Sequence, residues 1–221
     1  MLQIPLEQSS LATAHTLIEG VATLAFALSG MMEAARKKLD VVGVCVVAGV
    51  TAFGGGTLRD VLLDRRPFFW VDHANWLWLL LGLCAVAMLF LRKRVLRLTV
   101  RAMQVPDAIG LGLFAASGTQ IALANGMPGL VAVIMGVISA VFGGVLRDVL
   151  CNQIPHAFHD HVPYASCAFA GCWVVVLVEA QPGYGGLALA AGTIIATALR
   201  LVALAFDLRL PVWRAHGDDE D

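Results

Sequence analysis

The stretch FGGGTLRDVLL, residues 53–63, decides the fold, because it returns in nearly the same form as FGGVLRDVLCNQIP at residues 142–155. A shift of 88 residues places the second copy of LRDVL on the first without a gap. A five-residue identity with further matches at the same offset indicates an internal repeat, with copies over residues 16–92 and 104–180. The further matching pairs are Phe26 and Phe114, Ala27 and Ala115, Ser29 and Ser117, Gly30 and Gly118, and Pro67 and Pro155.

The composition of the 221 residues is that of a membrane protein. The mean hydropathy is +0.80, with 59% hydrophobic and 14% charged residues, whereas soluble domains carry about 25% charged residues. This excludes a disordered chain and a disulfide-rich secreted scaffold. The net charge of −1 offers no basic surface to nucleic acid. No phosphate-binding loop, zinc-protease motif or nucleophile elbow is present, so we expect no enzyme.

Seven apolar stretches approach the length of about 20 residues that a spanning helix needs. Each repeat holds three of them, an odd number, so its copies must insert in opposite orientations. The sequence thus predicts an all-α membrane protein, one transmembrane domain over residues 1–221, with an inverted 3+3 repeat, a seventh helix and a tail at 207–221. Six prolines fall at predicted helix ends, Pro106 among them. The predicted spans are 16–35, 41–63, 75–92, 106–124, 129–150, 162–180 and 184–206.

The distribution of Lys and Arg predicts the orientation. With the N-terminus outside, ten of these residues fall on the cytoplasmic side, and Arg65 and Arg66 alone fall outside. The C-terminus then lies in the cytoplasm, and the expected location is the bacterial plasma (inner) membrane. The start of a cleaved signal peptide carries Lys or Arg. Residues 1–10 contain neither, so we interpret the first apolar run as a spanning helix.

Consecutive glycines precede both copies of the Arg-Asp pair and favour a bend or break in the second and fifth spans. Broken backbone at membrane depth persists only where it is buried in protein or faces water. A break would also expose free N–H and C=O groups. Glycine pairs equally allow close helix packing, so both interpretations stand. The candidate pore hinges are Gly54, Gly55, Gly56, Gly143 and Gly144.

The charged pairs Arg59–Asp60 and Arg147–Asp148 lie inside predicted spans. A charge within a span costs about 2.5–3.5 kcal/mol on insertion scales, and its occurrence in both repeats suggests a function. We place the pairs near opposite ends of one pathway, as candidate pore charges. The alternative is an ion pair that fixes a helix end. Neighbours in sequence point about 100° apart on a helix, so each Arg could also pair with another helix.

Two further repeated features allow a structural and a functional interpretation. Ser-Gly pairs midway along the first and fourth spans suit close helix packing, or they place a hydroxyl beside the pore. Glu19 and Asp107 fall in the predicted first turns of these spans, where the helix dipole favours an acid, or they attract cations to a vestibule. The Ser-Gly residues are Ser29, Gly30, Ser117 and Gly118.

The loop His156–His159–His161 has the residue types of a zinc site. Bracketing prolines, and Phe68 at the position equivalent to His156, favour instead a surface histidine cluster whose protonation would tune a pore mouth. We expect no metal ligands. The five cysteines lie mostly in apolar runs without a CxxC spacing, which indicates buried thiols.

The two Gly-rich Arg-Asp segments resemble those of the prokaryotic TRIC (trimeric intracellular cation) channels, a family also known as putative glycine transporters. The resemblance extends over residues 16–206. It implies seven helices and a homotrimer in membrane lipid, with one pathway per protomer for monovalent cations such as potassium and sodium and no cofactor. The bent second and fifth helices would line the pore. Small residues on the first and fourth spans suit a trimer interface: Gly20, Ser29, Gly30, Gly110, Gly112 and Gly118.

The competing function is transport of a small amino acid by alternating access. Such a protein needs an occluded site for a carboxylate, which Arg59 or a helix N-terminus would supply. A channel needs a continuous wet path with a weakly binding constriction. We favour the channel.

Overall fold

The computed structural model describes residues 4–91, 100–159, 162–181 and 183–211, and all the regular secondary structure in these ranges is helical. The helices of the first half are α1 (Ile4–Arg36), α2 (Val41–Leu62), α3 (Phe69–Asp72) and α4 (Asn75–Leu91). Those of the second half are α5 (Val100–Ala124), α6 (Gly129–Leu150), α7 (His156–His159), α8 (Ala165–Glu179) and α9 (Gly185–Ala205).

Each of the seven predicted spans coincides with a helix, and α3 and α7 are single turns in the connections. Among the described residues, five helices are long and apolar enough to cross a membrane: α1, α2, α5, α6 and α9. Of the apolar helix α4, 17 residues are described, up to the gap after Leu91, and α8 has 15 residues. The prediction of an all-helical membrane protein is confirmed. The tail at 207–221 is described only to residue 211.

The predicted first span, 16–35, agrees with the membrane-crossing stretch His15–Arg36, although helix α1 extends back to Ile4. One predicted boundary is wrong. Helix α5 begins at Val100, so Pro106 lies inside the helix instead of at its start. Proline has no N–H to donate to the carbonyl four residues earlier. The helix tolerates this loss near its N-terminal end, where few turns precede the proline.

The repeat is visible in the way the helices end. The backbone adopts positive φ at Lys38 and Gly126 after α1 and α5, and at Asp64 and Asn152 after α2 and α6. Each pair is separated by 88 residues. At every one of these ends the next residue's N–H donates to a carbonyl five residues back, as from Met127 to Ala122, which is the Schellman arrangement. The two repeats therefore share their helix-ending geometry as well as their sequence.

Helices α1 and α5 form the centre of the molecule, since 67% and 78% of their most apolar stretches are buried, against 33% for α2. Their contacts show that they run antiparallel: Ser29 near the C-terminal end of α1 bonds to Asp107 near the start of α5. Helices α2 and α6 also cross antiparallel, because Gly55 meets Ser139 while Gly143 meets Thr51. Equivalent helices of the two repeats thus run in opposite directions.

The glycines do not break α2 or α6, which are both continuous α-helices through Gly54–Gly56 and Gly143–Gly144. The expected free N–H and C=O groups at a break are therefore absent at these positions. The glycines instead allow close packing. A Cβ added at Gly55 would collide with the carbonyl oxygen of Ser139, and one at Gly143 with that of Thr51. These two contacts exchange under the 88-residue shift.

The small residues expected at a trimer interface are used within the protomer. Gly20 lies against Trp76, and Gly30 lies against Thr51 and Ala48. Gly110 lies against Phe26, Gly112 against Thr193 and Thr197, and Gly118 against Ser139 and Gly136. That interpretation is wrong, because the residues already bring α1 and α5 close to their neighbours inside one chain.

We predict that Gly55→Ala destabilises the fold by about 1–3 kcal/mol, since the new methyl meets backbone that cannot rotate away. Gly49→Ala on the same helix is the matched control, because a Cβ there meets nothing within 4 Å. The measurement is the unfolding midpoint of the purified protein in detergent. Equal midpoints for the two variants would contradict the close α2–α6 approach.

Candidate functional site: two buried arginine clusters

The first cluster surrounds Arg59 on α2, whose side chain is fully buried. Arg59 Nη1 donates to Glu19 Oε1 on α1 at 2.5 Å, and Arg59 Nε donates to Asp60 Oδ1 at 2.9 Å. Arg65, whose side chain is 41% exposed, reaches Asp60 Oδ1 at a longer 3.3 Å. The buried part of this Arg59 cluster thus holds two carboxylates for one guanidinium.

The second cluster surrounds Arg147 on α6 and repeats this arrangement. Arg147 Nε donates to Asp148 Oδ1 at 2.8 Å, and Arg147 Nη1 bonds to Asp107 on α5. The same Nη1 donates to Ser29 Oγ of the other repeat at 2.6 Å. Asp148 Oδ2 lies 2.9 Å from both the backbone N and the Nδ1 of His156. This Arg147 cluster again holds two buried carboxylates for one guanidinium.

The Arg-Asp pairs were predictable from the sequence, but the role of Glu19 and Asp107 was not assigned correctly. The helix-dipole interpretation is wrong, since α1 begins at Ile4 and Glu19 is four turns into it, while Asp107 is two turns into α5. Both acids instead bind the arginine of their own repeat. Their coincidence at the 88-residue offset is the sequence signal from which equivalent partners in the two repeats could have been inferred.

In the two Ser-Gly pairs, the glycines and the serines have different roles. Gly30 and Gly118 serve packing, because a Cβ at either would press on Thr51 or Ser139 of the neighbouring helix. Ser29 belongs to the Arg147 cluster. Its equivalent Ser117 is also buried, but its Oγ has no hydrogen-bond partner among the described residues.

A cavity of about 380 Å³ adjoins the Arg59 cluster. Glu19, Asp60 and Arg65 line it, and the exposed Asp72 lies at its edge. A second cavity of only about 10 Å³ shares Glu19 and Asp60 with the first and is also lined by Gly56, Arg59 and Phe114. Glu19 and Asp60 therefore line both a wide cavity, here called the vestibule, and a much smaller one.

Tyr164 covers the Arg147 cluster and is itself 4% exposed. Its hydroxyl is so near α6 that a Cβ at Gly144 would lie 2.8 Å from it. Arg200 on α9 holds this region in place, since its Nη1 donates to the Pro163 carbonyl at 2.7 Å and its guanidinium lies over the Tyr164 ring. A cavity of about 230 Å³ lies beyond Tyr164, lined by Phe158 and other residues but not by the clustered charges.

His156 is the one histidine of the predicted surface cluster whose side chain is described. His156 contacts Asp148 and is only 16% exposed. The side chain of His159 and all of His161 lie outside the described residues. Within the described part of the chain, no group of three His, Cys, Asp or Glu residues could hold a metal. Four of the cysteines are buried and Cys45 is half-buried.

Comparison with known proteins identifies the family. The sequence profile described as "Glycine transporter" matches residues 16–92 and, separately, residues 104–180. The chain belongs to this family. The UPF0126 membrane protein of Vibrio cholerae serotype O1 is 39% identical over 198 residues, which cover 89% of this chain and 82% of that protein. The UPF0126 inner membrane protein YadS of Escherichia coli K12 is 34% identical over 87% of this chain and 93% of YadS.

Solved structures place the family in the prokaryotic TRIC channel fold. The TRIC trimeric intracellular cation channel orthologue from Rhodobacter sphaeroides is 33% identical, with a TM-score of 0.81 over 89% of this chain and all of that one. A second TRIC cation channel structure is 29% identical, with a TM-score of 0.80 over 91% of this chain and 98% of that one. The resemblance seen in the sequence is confirmed. The fold is that of channels, not enzymes, as expected, and the chain is a multi-pass membrane protein.

We predict that Arg59→Ala and Arg147→Ala each destabilise the protein by about 3–5 kcal/mol, because removal of one partner leaves buried carboxylates uncompensated. Arg209→Ala is the control. It removes an ion pair of similar length, 2.9 Å to Asp207, in which both side chains are more than 60% exposed, so its cost should be below about 1 kcal/mol. Thermal unfolding in detergent compares the three, and an Arg59 variant as stable as the control would exclude a clamping role.

Proposed function

We propose that the protein is a channel for monovalent cations such as potassium and sodium, with one pathway inside each protomer. The observation that carries the proposal is the ratio of charges in the two buried clusters. Each holds two carboxylates for one guanidinium, so with both carboxylates ionised and His156 neutral the buried part of each has a formal charge of −1. A buried net charge of −1 attracts a monovalent cation and disfavours anions.

The geometry around the clusters supports the same pathway. The vestibule of about 380 Å³ reaches the Arg59 cluster, and the cavity beyond it reaches Gly56 between α1, α2 and α5. Arg65, from the more exposed side, is the only described cation besides Arg59 that pairs with Asp60. A permeating cation would compete with this tethered and partly solvated guanidinium for the carboxylate.

In this proposal α2 and α6, the second and fifth spans, line the pore. A Cβ at Gly56 would lie 4.0 Å from Arg59 Nη2, and one at Gly144 would lie 3.7 Å from Arg147 Nη2, so both glycines face the charged groups. The continuous helices would bend at their glycines as the pore opens, because glycine lowers helix stiffness. Gly54, Gly55 and Gly143 lie where α2 meets α6, and as further candidate hinges they would let the two helices bend at this crossing.

The membrane arrangement that fits these contacts has seven spans, in an inverted 3+3 repeat followed by α9. The antiparallel crossings of α1 with α5 and of α2 with α6 support it. The excess of Lys and Arg places the N-terminus outside and the C-terminus in the cytoplasm. The relative YadS is named an inner membrane protein, and we propose the same membrane here. The vestibule of the Arg59 cluster then faces outward.

Transport of glycine or another small amino acid by alternating access is the second candidate. The different surroundings of the two clusters favour this function. A cavity reaches the carboxylates of the Arg59 cluster, whereas Tyr164 covers the Arg147 cluster. Inverted repeats in unequal conformations are typical of carriers that expose one side at a time. The opposed charges around the vestibule would suit a zwitterion.

Purified protein in planar bilayers separates the two functions. We expect discrete single-channel currents, with a flux far above the turnover of a carrier, and a reversal potential that reports cation preference across a potassium chloride gradient. Saturable glycine uptake into proteoliposomes without such currents would establish the carrier instead.

The Asp60→Asn and Asp148→Asn variants test the charge ratio directly. Each leaves one carboxylate for one guanidinium, so the reversal potential should move toward zero as cation preference falls. Asp207→Asn is the control, because this exposed residue lies outside both clusters. If both cluster variants keep the wild-type reversal potential, the clusters are structural and do not select ions.

We also propose a homotrimer, as the Rhodobacter sphaeroides orthologue is named trimeric. Because the small residues of α1 and α5 are used inside the protomer, the interface would use other exposed apolar faces, such as Val41, Val42 and Val46 on α2. Native mass spectrometry of the detergent-solubilised protein should give three times the 23.4 kDa chain mass. A dimer mass at every detergent concentration would contradict the assembly.

A further inference from the structure

Two phenylalanines occupy the same face of the central helices as the acids of the two clusters. Phe26 follows Glu19 by seven residues on α1, and Phe114 follows Asp107 by seven residues on α5. Residues seven apart lie on one face of a helix, two turns from each other. Each ring therefore lies deeper along the face that carries the acid, at about 10.5 Å from it along the helix axis.

The rings lie between the two clusters. On α1, Glu19 belongs to the Arg59 cluster and Ser29 to the Arg147 cluster. These ten residues correspond to about 15 Å of helix, and Phe26 falls within that interval. Because α1 and α5 are antiparallel, Phe114 enters the same interval from the opposite direction.

The two rings close this interval by contact with each other. Their centroids are 5.3 Å apart, with an interplanar angle of 38°. Phe26 is fully buried and Phe114 is 3% exposed. Glu19 and Phe114 both line the cavity of about 10 Å³, and this volume holds no more than about one water molecule. No hydrated cation passes such an apolar contact.

The glycines of the pore helices surround the rings. Phe26 lies against Gly110 of α5 and against Gly143 of α6, where an added Cβ would be 3.2 Å from the ring. Phe114 lies against Gly56 of α2, where an added Cβ would be 3.8 Å away. Movement of α2 and α6 at their glycine segments therefore changes the space available to both rings.

We propose that Phe26 and Phe114 form the gate of the pathway, an apolar constriction that excludes water when the rings touch and conducts when they part. Dewetting of an apolar constriction is an established way to block ions. The inference rests on the proposed channel function. Closure of the pathway is then due to Phe26 and Phe114, which occupy equivalent positions in the two repeats. The charged clusters lie on either side of this gate.

Single-channel recording of Phe26→Ala, Phe114→Ala and the double variant tests the gate. We expect each single variant to raise the open probability by about tenfold, as the loss of an aromatic pair contact allows, and the double variant to leak under conditions that keep the wild type closed. Phe169→Ala is the control, since this 43% exposed ring pairs with Trp173 on α8 and should leave gating unchanged.

Phe26→Leu and Phe114→Leu keep most of the apolar volume and cover the case in which the alanine variants fail to assemble. They should still raise the open probability, by a smaller factor, because the ring contact is lost. Wild-type currents with unchanged gating in the leucine and alanine variants would overturn the gate while the channel stands. A wild type without currents would instead overturn the channel function itself.

Discussion

Two buried guanidinium groups set the register of the four central helices. An arginine that is 0% or 2% exposed costs several kcal/mol of desolvation unless carboxylates surround it. One carboxylate is its neighbour in sequence, and the other comes from the preceding long helix. Helix α1 therefore cannot slide along α2 without separating Glu19 from Arg59, and α5 is fixed to α6 in the same way.

The helix pair α1–α2 approaches the pair α5–α6 closely because of a second constraint, the lack of side chains at glycines of α2 and α6. At Gly55 and Gly143, α2 and α6 cross with backbone against backbone. At this short separation Arg147 of the second repeat donates a hydrogen bond to Ser29 of the first. The two charged clusters come within about 15 Å of each other along α1. This separation is about half the thickness of the hydrocarbon core, and apolar rings fill it.

The helices and the repeat could be predicted because the sequence itself contains their signals. Long apolar runs indicate the helices, and identical residues at an offset of 88 positions indicate the repeat. The sequence predicted Arg59 and Arg147 as site residues because a charge within an apolar run can be recognised from the sequence without the fold. The second partners of these arginines, Glu19 and Asp107, were not assigned from the sequence, since each is 40 residues from its arginine and only the fold brings them together. The sequence left the packing and hinge roles of the glycines both open for the same reason: their packing depends on the Ser139 and Thr51 carbonyls of the facing helix.

Departure from symmetry distinguishes the two ends. Helix α9 has no counterpart in the first repeat, and its Arg200 bonds to the Pro163 carbonyl and lies over Tyr164. Trp76 occupies the position equivalent to Tyr164, but it packs against Gly20 and leaves the Glu19 carboxylate in the lining of the vestibule. Two identical repeats without a seventh helix would give two identical ends. The added helix holds Tyr164 over one cluster, so the same charges are accessible at one end and covered at the other.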